Sequence, residues 1–571
     1  MTDASRQTGR QYRGRLISWR EWRRVILFTL LILALTTLPY LIGWGSQGED
    51  WRFSGLVFGV EDGNSYLGKL RLGMRGFSEF SLFYTSEPHD SAPLLLLYLL
   101  PGQIAGQFVA ADDPASPETL MLTFHLLRVI GAALLIFTIY RFIAAFVAAP
   151  GVRFTALILA TLGGGVGWLL ALTGQGDLLG SLPPDVFIPE GFTFLILLGL
   201  PHLAIGRAAL LGGLLALIAA ADRRSPRAWL PYALLAGVLW LIVGIAVPFY
   251  LAIIYAILGA WGLAAWARAG RFRAFPQGFP WGLFWRCVVA AALTLPMFAY
   301  HALIFTTNPA FAVWSAQNLL FSPHPLQYVL AYALIGGLAL VGGRWAWRQA
   351  NRAGGLRMAL LIGWPLIVPI LVYLPINVQR RLAEAVLIPL AILAAVGLRM
   401  IARRWLRRGA LIAAVLTSIF LLFGFMLAAA TPSRPLFRST AERAALAWLD
   451  AQAAPDAVVL SSARQGNALP AYTNLRTYMG HGPETLFWPQ KTATLEAFYR
   501  GGLTPDARAD LLAPSCAASE PLCPDPINYV LYGPLERALV TDPDDIAAWS
   551  RGLTLIYDRD GYQIYAVPEP G

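Results

Sequence analysis

The chain has 571 residues, 57% of them hydrophobic and 13% charged, with a formal net charge of +11. Soluble globular proteins carry about 25% charged residues, so this composition excludes a soluble enzyme and indicates an integral membrane protein. The excess of base does not point to nucleic acid, because the arginines gather between apolar runs, where the positive-inside rule places them, and no basic groove or nucleic-acid motif is visible.

In chain order, Arg6, Arg10, Arg13, Arg15, Arg20, Arg23 and Arg24 precede an apolar run at 25–44. That run has spanning length and no small-residue cleavage site, so it reads as a signal anchor behind a cytoplasmic basic tail, 1–24. Further spans are expected at 120–140, 154–173, 191–220, 228–247, 249–267, 283–304, 325–343, 358–376, 382–400 and 409–430. The total of about eleven spans leaves the N-terminus inside and everything after Ala430 outside. The basic stretches at 141–153, 223–227, 268–286, 344–357 and 399–408 then all face the cytoplasm. The run Gly163-Gly-Gly-Val-Gly167 lies within a span and is expected to let helices pack closely. The apolar segment 92–110 breaks the scheme if it crosses. Pro93, Pro101 and Gly102 weaken it as a spanning helix, so it is expected to be re-entrant or interfacial within a first outer loop, 45–117.

After residue 430 the composition becomes that of a soluble α/β domain, 431–571. An amphipathic helix is expected over 440–450 with Ser439 or Thr440 as its cap. Strands are expected at 456–461, 527–532, 553–557 and 562–567, with Asp560-Gly561 as the turn between the last two. Cys516 and Cys523 are a candidate disulfide in an extracytoplasmic domain, whereas Cys287 lies in an apolar span and reads as packing.

The acidic first loop carries two clusters, Glu61-Asp62 and Glu87-Pro-His89-Asp90. A carboxylate just above a membrane can serve as a general base, orient an acceptor, or bind a divalent cation such as Mg or Mn, with Asp62 and Glu87 as candidate ligands; the same acids equally suit a solvated loop. In Asn377-Val-Gln-Arg380-Arg381 the arginines fall in a short outer loop, against the general distribution of bases. Their guanidinium forks suit a phosphate or pyrophosphate; the alternative is a snorkelling anchor pair. Asp185 and Glu190 cap the outer end of a span, and His202 and Arg207 lie within it. Ionisable groups at that depth are functional candidates or helix-to-helix hydrogen bonds, and His125 and Arg128 invite the same two readings. Gln317 and Asn318 offer amides suited to sugar hydroxyls. The turn Gly480-His481-Gly-Pro-Glu484 either contacts an acceptor or is structural. No phosphate-binding glycine loop, dinucleotide fingerprint, zinc-protease motif or nucleophile elbow stands in a convincing context.

With its cytoplasmic N-terminus, long acidic first outer loop, many later spans and outer C-terminal domain, the chain resembles the GT-C class of membrane glycosyltransferases, which includes protein O-mannosyltransferases and aminoarabinose transferases. Locally, Glu87-Pro-His-Asp90, Pro93-Leu-Leu-Leu-Leu-Tyr98, Gly102 and His125-Leu-Leu-Arg128 are similar to that class's run from acidic loop to span start. The motifs Pro184-Asp185, Pro189-Glu190, Pro201-His202 and Gln379-Arg-Arg381 resemble those of uncharacterised bacterial membrane proteins. The resemblance implies a polytopic α-helical fold and transfer of a sugar from a polyprenyl-(pyro)phosphate donor to an extracytoplasmic acceptor. It implies Asp62 as base, Glu61 as its substitute, Glu87, His89 and Asp90 in the same cavity, and Arg380 and Arg381 on the lipid phosphate. The expected setting is the cytoplasmic membrane, with the bilayer and the polyprenyl-linked donor as partners. Two other functions fit the same features: a transporter or flippase for lipid-linked cargo using His202 and Arg207, and a non-catalytic scaffold.

Overall fold

The computed structural model describes residues 17–268, 278–350, 355–516 and 522–568. Most of the expected basic tail, 1–16, and the middles of the basic stretches 268–286 and 344–357 lie outside the described residues. The main elements in chain order are α1 (Trp19–Gly45), β1 (Trp51–Phe53), α2 (Val60–Met74), α3 (Leu96–Gly106), α4 (Ser116–Phe146), α5 (Pro150–Leu172), α6 (Pro201–Ala221), α7 (Pro226–Ala246), α8 (Tyr250–Arg268), α9 (Trp281–Thr307) and α10 (Pro325–Gln349). They continue with α11 (Leu356–Leu371), α12 (Leu387–Met400), α13 (Arg404–Ala413), α14 (Leu416–Ala430), β2 (Phe437–Ser439), α15 (Thr440–Gln452), β3 (Val458–Leu460), α16 (Ala463–Tyr472), β4 (Arg476–Thr477), α17 (Trp488–Tyr499), β5 (Ile527–Tyr532), β6 (Thr554–Arg559) and β7 (Tyr562–Ala566).

Among the described residues eight helices, α1 and α4 to α10, are long and apolar enough to cross a bilayer; α13 and α14, bent by 40° at their junction, add a ninth if they form one span. The chain is a polytopic helical membrane protein with a mixed sheet toward its C-terminus. The count differs from eleven at two places. The run 358–376 yields a helix of 16 residues, containing Pro365 and Pro369. The run 382–400 yields one of 14 residues, because a tight turn at Gln379–Ala383 takes its beginning. Both fall short of the roughly 20 residues that span a hydrocarbon core. Helix α3 has 11 residues, about 16 Å of rise, and is too short to cross.

The described residues form two compact units. The first comprises residues up to Pro39, Leu127–Tyr300 and Leu320–Phe425. Prolines open α6, α7 and α10, at a position where the missing N–H is no loss. Two fully buried tryptophans lock helices together: Trp240 donates to Leu210 O at 3.3 Å and Trp261 to Leu356 O at 2.7 Å. The glycine run at 163–167 lets α10 approach closely, a Cβ at Gly165 falling 2.3 Å from Ala331 O. It also interrupts α5, and the buried amides of Gly165 and Gly167 donate to Asp185 Oδ2 at 2.9 and 3.1 Å.

The second unit comprises Tyr40–Leu126, His301–Leu319 and the chain from Met426. Its five-stranded sheet has the order β4-β3-β5-β7-β6, parallel among β4, β3 and β5 and antiparallel across β5, β7 and β6. Asp560 and Gly561 take positive φ in the last hairpin, and Ser439 caps α15 by accepting from Glu442 N. Phe498, Tyr499, Tyr532, Trp549 and Tyr565 form an aromatic core on this sheet. The first loop is built into this unit. Strand β1 pairs antiparallel with β2, Thr477 N donates to Phe83 O at 3.0 Å, and Asp525 N donates to Ser86 O at 2.9 Å. Helices α2 and α3 cross at glycines: a Cβ at Gly73 would lie 2.1 Å from Leu99 O, and one at Gly102 would lie 2.0 Å from Leu70 O. Cys516 and Cys523 are joined, with Cα atoms 6.0 Å apart.

Candidate functional site

Helix α2 starts after Gly59, whose φ of 56° turns the chain into it. Glu61 and Asp62 occupy its first turn and Arg71 its last, the arrangement the helix dipole favours. Asp62, Ser65 and Lys69 recur at helical spacing and share one face. That face meets the turn at 480–485, where the Thr485 hydroxyl accepts from the amides of Gly480 and His481 at 3.0 and 3.2 Å. His481 Nε2 lies 3.1 Å from Asp62 Oδ1, and its Nδ1 lies 3.8 Å from Glu484 Oε1. The same Glu484 oxygen accepts from Ser65 Oγ at 2.8 Å and from Lys69 Nζ at 2.7 Å. Lys69, His481 and Glu484 are buried, whereas the Asp62 side chain is 55% exposed. The result is a chain of charges, Lys69, Glu484, His481, Asp62, that begins in the interior and ends at the surface.

Burial alone would push the His481 imidazole down; Glu484 and Asp62 outweigh it and hold its pKa above the ordinary 6.5. Glu484, despite its own burial, is held below the usual carboxylate range by Lys69 and His481. The ring of Tyr84 stacks on His481 at 5.6 Å, and its hydroxyl donates to Asn467 O at 2.8 Å. A histidine with a raised folded pKa stabilises the fold fully below its unfolded value, about 6.5, and loses that contribution as pH climbs through the folded value. The thermal-stability difference between wild type and His481→Gln is therefore expected to be largest near pH 6 and to shrink toward pH 8. A difference that is flat or grows over that range would show that His481 is not held as a cation.

The two adjacent acids are distinguished by geometry. The Glu61 side chain is exposed with no partner among the described residues; its carbonyl accepts from Asn467 Nδ2 at 3.1 Å. Asp62 is the one tied to His481. Gln317 braces the same turn by donating to Pro483 O at 2.9 Å and to Thr485 O. Asn318 follows as the C-cap of the short helix Pro309–Gln317.

The second acidic cluster is differently occupied. Glu87 is buried and pairs with Lys491 Nζ at 2.7 Å, which also donates to Thr85 Oγ1, Ser86 Oγ and Tyr478 O. Burial outweighs the Glu87 carboxylate and lowers the Lys491 ammonium to about 8. His89 Nε2 accepts from Leu82 N at 2.9 Å and its Nδ1 lies 2.9 Å from Glu87 O, so both ring nitrogens serve the loop backbone. Asp90 is exposed, and its carbonyl accepts from Asn308 Nδ2 at 3.0 Å. Among the described residues no three His, Cys, Asp or Glu side chains are grouped to hold a metal ion. A Mg or Mn ion at Asp62 would need donor phosphate oxygens and water to complete its shell, as Mg commonly does.

The arginine pair belongs to the first unit. Arg381 Nε lies 3.4 Å from Glu190 Oε1, and the guanidinium groups of Arg380 and Arg381 lie over the rings of Phe187 and Phe249 at 5.2 and 5.8 Å. Asp185 is buried and bound to Gly165, Gly167 and Thr417. Arg207 is fully buried against Glu384, while His202, also on α6, is half-buried. Sequence reading missed Ser65, Lys69, Lys491 and Glu384, and named Glu484 only within the 480–484 turn. The first two could have been found from their spacing to Asp62 once α2 was drawn as a helix. The last two meet partners hundreds of residues or more than a hundred residues away and leave no local signal.

The first unit is thus a bundle of helical spans, and the second an acidic loop folded onto a mixed sheet. No family model and no curated protein matches the chain. Two solved structures show a distant likeness. The chain is similar to the oligosaccharyltransferase AglB of Archaeoglobus fulgidus, solved with an inhibitory peptide and a dolichol-phosphate, at 14% identity over 97% of this chain and 75% of that one, TM-score 0.48. It is similar to ArnT of Cupriavidus metallidurans bound to undecaprenyl phosphate, at 12% identity over 94% of this chain and 98% of that one, TM-score 0.47. The fold class itself stands on the spans and the sheet.

Proposed function

We propose that the chain is a glycosyltransferase that moves a sugar from a polyprenyl-(pyro)phosphate donor to an acceptor hydroxyl on the outer side of the cytoplasmic membrane. The observation that carries this reading is the half-exposed Asp62 carboxylate, oriented by a buried histidine that is itself backed by Glu484 and Lys69. In the proposed step the acceptor oxygen attacks the anomeric carbon, its proton passes to Asp62, and the bond from that carbon to the donor phosphate oxygen breaks with its electron pair on the phosphate. Arg380 and Arg381 are the candidates to take up the resulting negative charge, for which a guanidinium fork is well shaped. Asn318 and Gln317 remain candidates for sugar contacts.

The test uses membranes supplied with radiolabelled polyprenyl-phosphate sugar. Wild type should consume the donor and label an acceptor. Arg381→Lys keeps the positive charge beside Glu190 but removes the fork, so it should raise the donor KM by about tenfold, the worth of one hydrogen bond to a charged group, with kcat changed less. A wild type that neither binds nor consumes any lipid-linked sugar would end the glycosyltransferase reading. An unchanged KM in Arg381→Lys would remove only the phosphate role.

A further inference from the structure

Helix α13 has the sequence Arg-Trp-Leu-Arg-Arg-Gly-Ala-Leu-Ile-Ala and not one buried residue. On a helix Arg404, Arg407 and Arg408 fall on one side, with Leu411 among them, and Trp405, Leu406, Gly409 and Ala413 on the other, with Ile412 at the boundary beside Arg408. The apolar side is uncovered: Trp405 is 66% and Leu406 41% exposed. An amphipathic helix with a Trp-bearing apolar face and an arginine face is the form that lies in a membrane interface rather than across it.

The charge around α13 is also unmatched. No Asp or Glu occurs between Glu384 and Glu442, while Arg399, Arg403, Arg404, Arg407 and Arg408 all do. None of these five has a carboxylate partner among the described residues. Four other arginines of the same unit are paired within the chain: Arg153 with Glu21, Arg207 with Glu384, Arg357 with Asp222 and Arg381 with Glu190. A short break and a 40° bend separate the helix from the apolar α14 that follows it.

We propose that α13 is an interfacial helix that binds the headgroups of anionic phospholipids. Its arginine stripe lies on their phosphates, and its Trp405 and Leu406 face sinks into the edge of the hydrocarbon. Arginines near an anionic leaflet each favour it by about fivefold, and the anionic headgroups supply the counter-charge that the chain lacks.

The experiment uses the full chain with Cys287→Ser, reconstituted in vesicles of phosphatidylcholine with or without phosphatidylglycerol. Nitroxides are placed at Leu406→Cys and, separately, at Arg404→Cys. The Leu406 label should collide with oxygen and be shielded from a water-soluble nickel complex, and the Arg404 label should show the reverse. Spin-labelled phosphatidylglycerol should be retained over phosphatidylcholine by wild type. Arg404→Gln/Arg407→Gln/Arg408→Gln should lower that preference by tenfold or more, and the matching triple Lys variant should restore it. A Leu406 label as open to nickel as one at exposed Asp506→Cys would overturn the proposal. So would a lipid preference unchanged in the Gln variant, or lost equally in the Lys variant.

Discussion

Asp62→Asn is expected to reduce sugar transfer by about 10²- to 10⁴-fold, the usual worth of a positioned general base, with little change in protein level. The side chain is half exposed, so the pair it makes with His481 contributes at most about 1 kcal/mol to stability, and asparagine retains an oxygen to accept from Nε2. Chemistry and folding should therefore separate cleanly in this variant. Glu61→Gln is the matched control. Glu61 sits one residue earlier on the same helix turn and is also exposed, but its side chain makes no hydrogen bond or ion pair among the described residues. It should transfer sugar close to the wild-type rate. His481→Gln should fall between the two, because glutamine can still donate to Asp62 but does not couple it to Glu484. The measurement is initial rate at saturating labelled donor, normalised to folded protein. A Glu61→Gln variant that is dead while Asp62→Asn is active would exchange their roles, and two fully active variants would move the base elsewhere.

The contrast between those acids shows where sequence reading stops. That an acidic loop follows the first span was visible from hydropathy and charge, because both are properties of single residues summed over a window. The C-terminal strands and the Asp560-Gly561 turn were visible for the same reason. The choice of Asp62 over Glu61 depends on His481, more than 400 residues away, and no local pattern carries that distance. The two shortened helices, α11 and α12, had the right hydropathy for spans but were cut by Pro365, Pro369 and the turn at Gln379–Ala383, a limit set by backbone geometry rather than by polarity. The second acidic cluster failed in another way. Glu87, His89 and Asp90 look alike as exposed loop residues, yet one is a buried ion-pair partner, one a backbone brace and one a surface acid. Burial is a property of the fold, and it is burial that sorts them.

Arg207 shows the same dependence with the largest expected effect on stability. Its Nε and Nη2 meet the two Glu384 oxygens at 2.6 and 2.8 Å, and its remaining donors reach Thr193 Oγ1 at 3.1 Å and Glu190 O at 2.6 Å. Both charges are fully buried. Removing one partner strands the other in an apolar interior, so Arg207→Met and Glu384→Leu are each expected to destabilise the protein by about 3–5 kcal/mol. The double variant Arg207→Met/Glu384→Leu is expected to cost well below the sum, because it leaves no buried charge unpaired. The Glu190 carbonyl that Arg207 served still accepts from Ala385 N at 3.0 Å, so the double variant does not orphan it. Thermal unfolding of the four proteins at one detergent and lipid concentration supplies the cycle. Single variants within about 1 kcal/mol of wild type, or a double variant equal to the sum, would show that the pair does not hold α6 to the 384–386 turn. A large coupling would make Arg207 a strut of the membrane unit. It would then account for a deep ionisable residue that the sequence alone assigns equally well to a transport path.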